Sequence, residues 1–156
     1  MFLTRDIMVT PAISVTKEQT VKEALHLLDE HGISGLPVVD PNNRVIGIIS
    51  DTDIIRYSQQ NKIVPHTRSS FRVSPFSEVD ELASVRSGFE MLHRTLIEEV
   101  MTKKVYTVTE DTPTTDVAKL MDRRNINRVP VVDGEGILIG IITRADMIHY
   151  MANLEK

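Results

Sequence analysis

A chain of 156 residues, 26% charged and 41% hydrophobic, has the makeup of an ordinary globular domain. A net charge of −4 argues against a nucleic-acid backbone as the main partner, and the lack of cysteine excludes disulfides, a thiolate nucleophile and a zinc–thiolate site. The first residues carry no signal-peptide apolar region and no apolar run reaches the length of a membrane span, so a soluble, cytoplasmic protein is expected.

In chain order, the predicted elements come twice. Ile7 to Tyr57 aligns without a gap on Val100 to Tyr150, with 17 of 51 positions identical. The first copy opens on a β-rich run, Ala12 to Val15. A helix follows with Val21, Ala24, Leu25 and Leu28 on one face, Thr20 as N-cap and Gly32 just past its end. Leu36 to Val39 reads as a buried strand, Asp40 to Asn43 as a turn, and Val45 to Ile49 as the hairpin partner, with a last helix after Ser50. Between the copies, Asn61 to Ser77 holds Pro65, Pro75 and several serines and is expected to be a mobile loop. Leu82, Val85, Phe89, Leu92, Leu96 and Val100 then recur every three or four residues. They predict one amphipathic helix that covers the protein's own core or makes a dimer or partner contact. The second copy repeats the order: Val105 to Val108, a helix bearing Val117, Leu120 and Met121 with Pro113 in its first turn and Asn125 at its end, strands Val129 to Val132 and Leu138 to Ile142 around the turn Asp133 to Gly136, and a helix after Thr143. The fold class is α+β, with each copy β-α-β-β-α. The expected boundaries are 1–60 and 100–156 for the copies and 61–99 for the linker. A copy of about 50 residues makes only a marginal core alone, so the pair is expected to fold as one unit.

The motif that carries chemistry is Gly-Ile-Ile-Ser/Thr-x-x-Asp, at Gly47 to Asp53 and Gly140 to Asp146. Its plain reading is a capping box. Its functional reading is a nucleotide site: a helix N-terminus offers N–H groups to phosphate, a carboxylate suits the paired hydroxyls of a ribose, and a glycine lets a ligand or another strand come close. The histidines form no spaced metal pair on a helix face, and the seven methionines read as packing residues.

With Met8, Ile33, Pro37-Val38-Val39-Asp40 and Gly47-Ile48-Ile49-Ser50-x-x-Asp53, matched by Met101, Ile126, Pro130-Val131-Val132-Asp133 and Gly140-Ile141-Ile142-Thr143-x-x-Asp146, the chain resembles a tandem pair of cystathionine-β-synthase (CBS) domains, a Bateman module. The resemblance implies two motifs packed sheet to sheet about a pseudo-twofold axis, with two clefts for adenine nucleotides or other adenosyl ligands such as S-adenosylmethionine. One cleft would take Met8, Ile13, Ile33, Ser34, Gly35, Asn127, Arg128, Ile141, Thr143, Arg144, Ala145 and Asp146. The other would take Met101, Lys104, Tyr106, Ile126, Ile48, Ser50, Thr52 and Asp53. Arg128 is a candidate phosphate clamp where the first copy has Gly35, and Arg144 stands where the first copy has Asp51, so the Asp146 cleft is expected to be the better phosphonucleotide site. Lys104 gives the other cleft a cation of its own. The expected function is a regulatory AMP, ADP or ATP sensor without catalysis or a required cofactor, with Mg accompanying the nucleotide. The expected assembly is a homodimer, and the regulated target a separate protein. The alternatives are a ligand-independent dimerisation scaffold and a sensor of S-adenosylmethionine.

Overall fold

The computed structural model describes residues 1–61 and 75–154. Its elements are β1 (Val15–Thr16), α1 (Val21–His31), β2 (Gly35–Val39), β3 (Val45–Ser50), α2 (Asp51–Gln60), α3 (Pro75–Arg94), α4 (Ile97–Val100), α5 (Thr114–Arg124), β4 (Arg128–Val132), β5 (Leu138–Thr143) and α6 (Arg144–Ala152). The class is α+β, as the repeat implied. The strands form a sheet of order β1-β2-β3 and a hairpin β4-β5. The residues divide into two compact units: Met1–Thr16, Pro37–Ile48 and Lys103–Lys156 in one, Lys17–Leu36 and Ile49–Thr102 in the other.

The first unit is built on the antiparallel β4-β5 hairpin, in which Arg128 lies opposite Thr143 and Pro130 opposite Ile141. Strand alternation sends Val129, Val131 and Ile142 to one face, where they are fully buried against Val117 and Met121 of α5. Arg128, Ile141 and Thr143 fall on the other face and are half-buried. Both edges of the hairpin are covered, which removes an open ladder. Val108 bridges Val131 in parallel, and Val9 bridges Ile141 antiparallel. The N-terminal segment is anchored beyond that bridge. Thr4 is fully buried, and both its N–H and its hydroxyl donate to the Thr112 carbonyl, at 2.9 and 2.8 Å. In this unit β1 also pairs in parallel with β2, Val15 opposite Val38.

In the second unit, α1 buries Val21, Ala24 and Leu28. Thr20 caps it with Glu23 in a full capping box, and Gly32 ends it in the left-handed conformation at φ 60°. The lead-in to the second copy is bonded to the start of this helix. Val21 N–H donates to the Thr95 carbonyl, Ile97 N–H to Gln19 and Glu98 N–H to Lys17. Each copy's leading segment therefore packs with the other copy's elements: Leu3–Thr10 on the second, Thr95–Val100 on the first.

Four expectations are corrected. The runs Ala12 to Val15 and Val105 to Val108 pair only at Val15–Thr16 and Val108, because β propensity marks residues that suit an extended, half-buried surface rather than ladder bonds. The stripe from Leu82 to Val100 is two helices. At Thr95 the N–H returns to the Leu92 carbonyl, the hydroxyl bonds the Met91 carbonyl and the carbonyl accepts from Val21, so the chain leaves α3 and restarts as α4. Pro75–Ser77 begin α3 rather than ending a loop, and the rest of the expected mobile stretch, 62–74, lies outside the described residues, as does the side chain of Leu82. Asn125 ends α5 with φ 51°, and Pro113 is its N-cap, one residue ahead of its expected place.

Candidate functional site

The two Gly-Ile-Ile-Ser/Thr-x-x-Asp motifs form the same local device. The Ser50 hydroxyl accepts from Asp53 N–H at 3.2 Å, while Asp53 Oδ2 accepts from Ser50 N–H and its hydroxyl, each at 2.9 Å. The Thr143 hydroxyl accepts from Asp146 N–H at 3.1 Å, and Asp146 Oδ2 accepts from Thr143 N–H at 2.9 Å and its hydroxyl at 2.7 Å. These bonds satisfy the orphan donors of the helix start and lock both acids in place.

Around these caps the two units diverge. In the second unit, Asp53 is 9% exposed and its Oδ1 accepts from the Thr102 hydroxyl at 2.9 Å, with Arg56 Nη1 at 3.7 Å. The first-turn donors of α2 are spent: Asp51 N–H goes to the Ser34 carbonyl and Thr52 N–H to Asp51 Oδ1 at 2.7 Å. In the first unit, Asp146 is half-buried, and its Oδ1 takes no hydrogen bond among the described residues. Arg144 N–H donates to the Asn127 carbonyl at 2.9 Å. The expectation of free N–H groups at a helix start is therefore not met at Asp51, Thr52 or Arg144, whose amides are engaged.

Arg128 stands directly across β4-β5 from Thr143, which puts its side chain on the face that carries the cap. Arg144 points elsewhere, its Nη2 reaching the Met121 carbonyl at the end of α5 at 3.4 Å. Gly140 makes room for chain rather than ligand. A Cβ there would lie 3.0 Å from Met8 Sδ, 3.0 Å from the Val9 carbonyl oxygen and 3.1 Å from Thr10 Cγ2. Met8 and Ile126 pack as half-buried residues on the core beneath the hairpin, and Ile13 is half-buried in the same unit. Lys104 and Tyr106 also belong here, with Lys104 Nζ 5.8 Å from the ring centroid and Arg124 Cζ 4.7 Å from it, a cation–π pair of contacts. Ile48 belongs to the first unit, and Ile33, Ser34, Gly35 and Met101 to the second.

Thr102, Arg56 and Arg124 are the residues that sequence reasoning missed. Arg56 could have been found from its i, i+3 spacing to Asp53; nothing local signals Thr102 or Arg124. Among the described residues no three His, Cys, Asp or Glu side chains gather as a metal-ligand set, and no helix is long and apolar enough to cross a membrane.

The CBS-domain family model matches residues 5–60 and 97–153. The protein MJ1426 of Methanocaldococcus jannaschii is 33% identical over 154 residues, spanning 96% of this chain and 90% of that protein. The CBS domain pair of protein MJ0100, solved in complex with 5′-methylthioadenosine and S-adenosyl-L-methionine, superposes with a TM-score of 0.75 at 29% identity, covering 100% of this chain and 99% of that one. CBSX2 solved in complex with AMP superposes with a TM-score of 0.73 at 27% identity over the whole of both chains.

Proposed function

The chain belongs to the CBS-domain family, and on that footing we propose that it is a regulatory module that binds an adenine nucleotide or another adenosyl ligand without turning it over. The reading rests on Asp146, a carboxylate fixed by its own helix cap with Oδ1 left to accept. A ribose presents hydroxyl donors to such an oxygen. The Arg128 guanidinium, on the face of Thr143, has a donor fork that suits phosphate or a carboxylate. Half-buried Ile141, on the face of Thr143, and half-buried Ile13 offer apolar surface to a base. Structures of related pairs with AMP, or with S-adenosyl-L-methionine and 5′-methylthioadenosine, support this ligand class.

In this reading Mg enters only with a di- or triphosphate, the protein works as a homodimer and the regulated target is a separate chain. The ligand acts on that target only through its different affinity for two arrangements of the module. Calorimetric titration with AMP, ADP, ATP, S-adenosylmethionine and 5′-methylthioadenosine tests the proposal. At least one should bind in the micromolar range, about −8 kcal/mol. No binding below millimolar concentration by any of the five would overturn it.

A scaffold role is the second reading. An apolar pocket of about 400 Å³ in the second unit, lined by Leu25, Ile54, Ile55, Ser58, Phe89 and Leu92, favours it. Ile55 is 57% exposed and Phe89 41%. Dimerisation indifferent to every ligand of the series, together with the failed titration, would select this reading.

A further inference from the structure

We infer that Thr102 is a built-in substitute for a ligand hydroxyl at Asp53, so that the chain offers one open carboxylate to a ribose, Asp146, and not two. This deepens the proposed function: it rests on the ribose-reading role of the motif acids and sets how many ligands a chain takes. The two acids have equal frames. Each gives Oδ2 to the N–H and hydroxyl of its N-cap, at 2.9 and 2.9 Å for Asp53 and at 2.9 and 2.7 Å for Asp146. They part at the second oxygen. Asp53 Oδ1 accepts from the Thr102 hydroxyl at 2.9 Å, a bond of the same kind that a sugar hydroxyl would make. The position in the first copy that corresponds to Thr102 is Val9, which has no hydroxyl and pairs its backbone with Ile141.

The surroundings reinforce the difference. Arg56 stands 3.7 Å from Asp53 Oδ1, while the residue at its place in the second copy, His149, makes no ion pair with Asp146 among the described residues. Asp53 is 9% exposed where Asp146 is half-buried. A ribose arriving at Asp53 must break one charge-assisted hydrogen bond to make another, so the exchange gains little. At Asp146 the same hydroxyl displaces only solvent. Thr102 itself is exposed, so removing its hydroxyl leaves no buried polar group of its own unpaired.

Native mass spectrometry and calorimetric stoichiometry with AMP and with S-adenosylmethionine test this on the full chain. Wild type should bind one ligand per chain, weakened about 10- to 100-fold in Asp146→Ala. Thr102→Val should bind two, and Thr102→Ser, which keeps the hydroxyl, should bind one. Thr102→Ala replaces the valine variant if that fails to fold. An unchanged count in the hydroxyl-free variants, or a second ligand in wild type or in Thr102→Ser, overturns the inference. If wild type binds neither probe nor any other ligand of the five, it is the proposed function that fails at Asp146. The occlusion then stands only if a site appears in Thr102→Val or Thr102→Ala and not in Thr102→Ser, and falls if none appears.

Discussion

Thr143 and Asp146 hold each other through three hydrogen bonds, and what those bonds leave over is one carboxylate oxygen. Asp146→Ala removes a charged acceptor. Hydrogen bonds to charged groups contribute about 1.5–3 kcal/mol, so ligand affinity should fall about 10- to 100-fold by calorimetry. Asp53→Ala, whose acceptor is already engaged by Thr102, should cost the same ligand less than about threefold. Thr143→Ala removes the acceptor for Asp146 N–H, and the lost cap should lower stability by about 1 kcal/mol in urea denaturation. The caps were legible in the sequence because each is complete within four residues. The Thr102–Asp53 bond joins positions 49 apart, and no local pattern marks it. The same holds for Tyr106 between Lys104 and Arg124, where only the fold brings the end of α5 to the ring.

At the scale of elements, Gly140 shows why the motif starts with glycine. The neighbours of a Cβ at that position include the Val9 carbonyl, which is backbone fixed by its bond from Ile141 and cannot swing aside as Met8 Sδ can. Gly140→Ala should therefore destabilise by about 1–3 kcal/mol, the usual cost of overpacking, read as a lower urea midpoint with an unchanged slope. The sequence suggested that either a ligand or a strand comes close there, and spacing alone cannot tell the two apart. Helices and strands were legible where period and punctuation agree: Thr20 and Gly32 bracket α1 to the residue. They were not legible at Thr95. The three-four spacing runs from Leu92 through Leu96, while the bond that holds the Thr95 carbonyl out of the helix comes from Val21, far away in the chain.

Over the whole molecule, the order of residues in the chain is not the order of the units. Met1–Thr16 groups with the second copy's elements, and the lead-in to the second copy groups with the first's. Deleting residues 1–10 removes the Thr4 anchor and the Val9 bridge from β5. Hydrogen exchange at the Ile141 amide, which donates to the Val9 carbonyl at 3.1 Å, should then speed up, and the first unit should melt earlier than in the full chain. The tandem repeat was plain in the sequence. The exchange of leading segments was not, because it depends on which copy each segment faces, and the two copies offer it the same order of elements.

That exchange makes the protein its own complement. Severing the backbone once, anywhere in 62–74, would yield two peptides, neither self-sufficient: the upstream one would carry the anchor its sister lacks, and the downstream one the clasp for α1. Mixed together, they should recognise each other and regain the native spectrum; kept apart, both should remain largely unstructured.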